Sequence, residues 1–163
     1  MSNTIEHSQL HATFVIERTY PVSVDRVWHA LSDNEARTHW FGGGSNFITR
    51  EKSHDFRVGG QEMEEGEWKD GPQTKYLSTY TNIVDLQRIV FTYDIWVAGG
   101  HLSTSLTTIA LEPEGDGTRM TYTEQAVHFD GLDSVEGREE GTAGILDTLG
   151  SFLVKNSEPT TAS

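Results

Sequence analysis

The sequence predicts an α+β domain: a long antiparallel meander, a pair of short helices after the first strand, and a long helix at the end. Three observations predict it. Between about residues 44 and 129, short segments of alternating apolar residues follow one another across turn-forming breaks. A helical apolar stripe precedes them at residues 24–31, and a second follows at residues 142–153.

The first strand is read from Leu10, Ala12, Phe14 and Ile16, which alternate with His11, Thr13 and Val15, and Pro21 ends it. Ser23 can cap the helix that follows, where Val24, Val27, Trp28 and Leu31 fall at i, i+3, i+4 and i+7. In "SDNE", Ser32 and Glu35 have the spacing of a capping box, so a short second helix is expected to end around Trp40 and Phe41 before the "GGG" at 42–44. Strands are then expected at "NFITRE", "HDFRV", "QEMEEGEWK", "KYLSTYTNIV", "RIVFTYDIWV", "HLSTSLTTIALE" and "RMTYTEQAVHF". The intervening "GG", "KDGPQ", "DLQ", "AGG" and "EPEGDG" are hairpin-length turn segments. In the last segment Thr142, Ile145, Leu149, Phe152 and Leu153 share one helical face. We read one domain over residues 10–154, with flexible ends at 1–9 and 155–163.

Composition excludes several function classes. Lys and Arg total 12 against 25 Asp and Glu, a formal charge of −13, so neither nucleic acid nor an anionic membrane surface is expected as a partner. With no cysteine there is no disulfide, thiolate metal site or cysteine nucleophile. The start of the chain lacks the pattern of a secretory signal, and no apolar run reaches the length of a membrane span, so a cytoplasmic protein is expected.

The stretch "DRVWHALSDNEARTHWF" holds metal-compatible side chains at His29, Asp33 and His39. At about 100° per residue, His29 and Asp33 lie opposite the apolar stripe, and Asp25, His29 and Asp33 form i, i+4 pairs that need no metal. No metal site and no cofactor are expected. His101 and His128 are read as loop-end histidines rather than general bases, because spacing identifies no serine nucleophile with a fixed partner.

Five segments in order, "VSVDRVWHALSDNEARTHWF", "DFRVGGQ", "IVDLQRIVFTYD", "GDGTRMTYTEQ" and "REEGTAGILDTLGSFL", resemble the START-like (SRPBCC, helix-grip) superfamily. The nearest branch is the one resembling the C-terminal domain of the activator of heat-shock protein 90 ATPase, with polyketide-cyclase-like bacterial members. The resemblance covers about residues 10–154. It implies a helix-grip fold, a curved antiparallel sheet wrapped around the long C-terminal helix with an apolar cavity between them. It transfers no catalytic residues.

Strand phase supplies candidates for the cavity wall. Ile89, Phe91, Tyr93 and Ile95 share one face of their strand, and Met120, Tyr122, Glu124 and Ala126 share one face of theirs. With Trp28, Trp40 and Phe41, the ligand-binding candidates are Phe91, Tyr93, Ile95, Tyr122 and Glu124. An inward Glu124 is an acid in apolar company, which must pair, shift its pKa upward or serve a ligand. In "QEMEEGEW" acids fall on both faces, Glu62 and Glu64 with Trp68 and Glu65 and Glu67 with Met63, so a solvated strand is expected. Gly137, Gly141 and Gly144 each cost about 1 kcal/mol in a helix; they either seat the helix closely against the sheet, which is the favoured reading, or leave room for a ligand beside it.

The leading expectation is a module that binds a small apolar or aromatic molecule. An enzyme acting on an aromatic or polyketide-like substrate as a cyclase, hydratase or hydrolase, with Glu124, Tyr93 or a histidine as acid or base, is the alternative. A chaperone-interacting domain is a third reading, disfavoured because no additional N-terminal domain precedes Leu10.

Overall fold

The computed structural model describes residues 6–42 and 44–156. The elements run β1 (Gln9–Tyr20), α1 (Val24–Ser32), α2 (Asn34–Thr38), a short 3-10 turn (Gly44–Asn46), β2 (Phe47–His54), β3 (Gln61–Trp68), β4 (Gln73–Val84), β5 (Arg88–Val97), β6 (Gly100–Glu114), β7 (Gly117–Phe129) and α3 (Val135–Lys155). The expected flexible ends fall largely outside the described residues, Gln9 and Lys155 being the terminal residues of β1 and α3.

One seven-stranded antiparallel sheet has the order β1-β7-β6-β5-β4-β3-β2, so β2 to β7 form a continuous meander and β1 closes onto β7. The sheet is curved. Three register shifts, at Thr49/Glu51, Tyr80/Asn82 and Ile95/Trp96, add the local twist that bending needs. Beside the first of them Gly66 is obligatory, since a Cβ there would lie 2.2 Å from the Ile48 carbonyl oxygen. β7 pairs with β1 and β6 without any register shift, and its alternation therefore persists along its length.

The helices form where the sequence predicts them, with two corrections at their ends. Ser23 caps α1, its side chain accepting from the Arg26 amide. Ser32 does not open a capping box: its hydroxyl donates back to the Trp28 carbonyl within α1. Asp33 is the cap of α2 instead, because its extended backbone breaks the helix and its carboxylate accepts from the Ala36 amide at 3.0 Å. The segment "HDFRV" is not a strand beyond His54. Asp55 to Gly60 fold into a tight loop in which the Gly60 amide donates to the Arg57 carbonyl and Arg57 Nε donates to Asp55.

Along α3 the buried seam is Thr142, Leu146, Leu149 and Leu153. Leu146 joins the expected face, while Ile145 and Phe152 are only half-buried. Tyr20 fastens this helix to β1 by donating its hydroxyl to the Leu146 carbonyl at 2.8 Å, with its ring under Gly150. Among the described residues, no helix is long and apolar enough to cross a membrane.

Candidate functional site

A cavity of about 620 Å³ lies between the inner face of the sheet and the helices. Inward residues of β3 to β7 form its floor, including Tyr76, Phe91, Tyr93, Ile95, Ile109 and Tyr122. Leu31, Arg37, Trp40 and Phe41 close one side, and Gly137, Arg138, Gly141, Thr142 and Ile145 of α3 close the other. Six of the eight sequence candidates are thus brought together: Trp40, Phe41, Phe91, Tyr93, Ile95 and Tyr122.

Trp28 is not among the lining residues. It packs edge-on against Phe56 at 5.8 Å, while Leu31, three residues later on the same stripe, reaches the cavity instead. Trp40 is a fixed part of the wall, because its indole N–H donates to the Ala30 carbonyl at 2.8 Å and its ring meets Phe41 edge-on. Phe41 in turn packs edge-on against Tyr76.

Glu124 faces inward, as the unbroken alternation of β7 requires, but it is fully buried behind the wall and is not a lining residue. Its carboxylate accepts from the Tyr93 hydroxyl at 2.8 Å, from Ser105 at 3.4 Å and from Tyr122 at 3.5 Å. Arg138 Nη1 stands 3.6 Å away and donates to the Tyr93 hydroxyl at 3.0 Å, while its Nη2 donates to Asp133 at 2.7 Å. Burial pushes the Glu124 pKa up, against the lowering effect of the Tyr93 hydrogen bond and the Arg138 charge. Burial also pushes the Tyr93 hydroxyl up, and the Glu124 charge adds to it.

A second polar group was not legible in the sequence. Arg37 and Glu62 are both buried and form a bidentate pair, with Nε and Nη2 each 2.6 Å from a carboxylate oxygen. Arg37 also donates to the Leu31 carbonyl and lies over the Trp40 and Phe41 rings at 5.0 and 4.5 Å. Burial alone would lower the Arg37 pKa, but the Glu62 charge and hydrogen bond, together with Tyr80 and Tyr76, raise it. His54 lies 3.8 Å from Glu62 and 2.8 Å from the Tyr80 hydroxyl, and its pKa is lowered, chiefly by burial. The reading of β3 as a solvated strand is therefore overturned for its inner face. Glu62 and Glu64 are buried and line the cavity, because α2 lays Arg37 across that face as a counter-ion.

The helix glycines are also reassigned. A Cβ at Gly141 or Gly144 would meet nothing within 4 Å, and one at Gly137 would meet only the capping hydroxyl of Ser134. The close packing expected at these positions is found at Gly150 instead, where a Cβ would lie 3.1 Å from the Tyr20 ring. Gly137 and Gly141 leave room in the cavity. Gly144→Ala should accordingly raise stability by about 0.5–1 kcal/mol in thermal or denaturant melts. Gly141→Ala should do the same while narrowing the cavity; a loss of stability in both would show that these positions are crowded.

The histidines of the opening helices face outward. His29 and Asp33 are 68% and 42% exposed, 3.9 Å apart, and no group of three metal-ligating side chains occurs among the described residues. His101 pairs with Asp94 at 2.8 Å and stacks on Trp96. His128 is buried, not a loop-end residue in solvent, and its Nδ1 lies 2.8 Å from Asp133. Ser103 pairs in register with His128, yet its hydroxyl is fully buried and makes no hydrogen bond, so the three do not assemble a reachable nucleophile.

The family model described as "Activator of Hsp90 ATPase homolog 1-like protein" matches residues 21–153. A crystal structure of a Rhizobium loti protein is 48% identical, with a TM-score of 0.83 over 89% of this chain and 99% of that one. A structure of an uncharacterized protein from Rhizobium leguminosarum is 37% identical, with a TM-score of 0.87 over 92% and 99% of the two chains. The solution structure of an AHSA1-like protein from Aeromonas hydrophila, 22% identical with a TM-score of 0.67 over 89% and 94%, shares the fold. No curated protein matches the chain by sequence. The matched span covers α1 through all but the last residues of α3, and the chain belongs to the activator of Hsp90 ATPase homolog 1-like family of the START-like superfamily.

Proposed function

We propose that the protein binds a small, largely apolar or aromatic molecule in the cavity between the sheet and α3. The observation that carries the reading is the cavity itself: about 620 Å³, walled by aromatic rings, with a few polar side chains held in fixed orientations. A pocket of this kind favours ligands by burial of apolar surface, at roughly 25 cal/mol per Å², and leaves selectivity to its polar groups. Glu124 is held behind Tyr93, so acid–base chemistry through its carboxylate is not part of the proposal.

Native mass spectrometry of protein purified without added ligand tests the reading. A retained small molecule, lost on denaturation, is the expected result. Trp40 and Trp68 line the cavity, so rebinding of the extracted molecule should change tryptophan emission. A protein that carries no retained mass and shows no emission change with any aromatic compound in a diverse panel would overturn it.

A further inference from the structure

The unpaired polar atoms of the cavity wall indicate which ligand head the site accepts, an inference that rests on the cavity being a binding site. Glu64 of β3 is 7% exposed, lines the cavity, and sits directly opposite Tyr76 of β4. Thr74 and Ser78 flank Tyr76 two residues to either side and therefore share its face. Glu64 Oε1 accepts from the Thr49 hydroxyl at 3.2 Å. Its Oε2 is buried and has no hydrogen-bond donor, and Lys52 Nζ stands 3.9 Å off, outside hydrogen-bond range. Thr74 Oγ1 and Ser78 Oγ are likewise buried without a hydrogen bond.

Buried polar atoms are ordinarily paired, so three unpaired ones on one stretch of cavity wall point to a partner supplied by the ligand. Gly42 adds no side chain over this carboxylate. A Cβ at position 42 would lie 3.2 Å from both carboxylate oxygens of Glu64, and Gly42, with φ +117°, places none there. A carboxylate oxygen only accepts, so the missing partner is a donor. Of the nearby cations, Arg37 is committed to Glu62 and Arg138 to Asp133, while Lys52 forms a long ion pair with Glu64 and leaves Oε2 without a hydrogen bond. The chain's net charge of −13 further favours a cation over an anion.

We propose that the cavity selects a ring-bearing apolar molecule whose polar head is a protonated amine, seated on Glu64 with the Thr74 and Ser78 hydroxyls beside it, and rejects the same skeleton bearing a carboxylate. Three fluorescent probes of one skeleton test this: 1-pyrenemethylamine, pyrene and 1-pyrenecarboxylate, titrated at neutral pH. The amine should bind about tenfold or more tighter than pyrene, as a charged hydrogen bond in a dry site allows, and the carboxylate more weakly than pyrene. Glu64→Gln should bring the amine and carboxylate affinities to within about threefold of each other. Thr74→Val, which leaves the carboxylate in place, should narrow the amine-to-pyrene ratio by a few-fold and serves if Glu64→Gln fails to fold in a thermal melt.

Equal binding of all three probes overturns the amine selectivity and leaves the cavity reading standing. So does a ratio that survives in folded Glu64→Gln. Failure of every probe to bind, in a protein that retains no molecule on purification, overturns the cavity reading and this inference together.

Discussion

Arg37→Met should destabilise the protein by about 3–5 kcal/mol, because removing one member of a buried ion pair leaves the other charged and unpaired. Glu62 is 2% exposed and takes both of its short bonds from this one guanidinium. The change also removes the donor to the Leu31 carbonyl and the cation lying over Trp40 and Phe41. Urea denaturation with the double variant Arg37→Met/Glu62→Leu separates the causes. The double variant should recover most of the loss, since an apolar pair of similar volume carries no desolvated charge. A second readout is His54, whose pKa Arg37 helps to lower and Glu62 tends to raise. Without Arg37 the His54 pKa should rise in an NMR titration of its ring protons; an unchanged value would show that the two groups are not coupled.

Glu124→Leu should cost about 1–3 kcal/mol, because the Tyr93 hydroxyl loses its acceptor and Arg138 loses a nearby counter-charge in a buried setting. Glu124→Gln keeps the shape and isolates the charge. The Glu124 pKa in the folded protein is raised above its ordinary value of 4.5. Between the unfolded and folded pKa values the native state holds more protons than the unfolded state, so stability falls as pH rises. The contribution is fully present below the unfolded pKa and is lost as pH climbs through the folded one. Wild type should therefore lose stability relative to Glu124→Gln as pH rises from about 4.5, read from melts of both proteins across the acidic and neutral range. A difference that is flat or of opposite slope would mean that Arg138 and the tyrosines favour the charged form more than burial opposes it. Affinity for apolar ligands should change little in Glu124→Gln, since the carboxylate does not reach the cavity.

The fold was legible because its signals are local and repeated. Phe91 and Tyr93 of β5 and Met120, Tyr122 and Glu124 of β7 point inward as their alternation requires, and the stripe Val27–Trp28–Leu31 fixes the buried face of α1. The site was legible only where a residue's phase decides its neighbourhood. Arg37 lies in a five-residue helix, too short for a period to show which face is buried, so its pairing with Glu62 of β3 left no sequence signal. The acids of β3 then read as solvated, because only the counter-ion from α2 makes an inward Glu62 affordable. Trp28 and Leu31 were equivalent in sequence, and which of them meets the cavity depends on Phe56 in the loop after β2, a contact made at a distance. Gly141 and Gly150 were equally indistinct, since the space beside a glycine is a property of what faces it.

The closure of β1 onto β7 bears on how the chain reaches this structure. It pairs residue 9 with residue 129, so the first strand to be synthesised waits for the last strand before its backbone groups find partners. β2 to β7 need only short hairpin turns and can zip in chain order, but the loop that β1 must close spans nearly the whole domain, and its entropy falls on the final step. Until β7 emerges from the ribosome, β1 is an unpaired strand whose neighbour does not yet exist, and that interval is when the newborn chain is most open to pairing with another copy of itself.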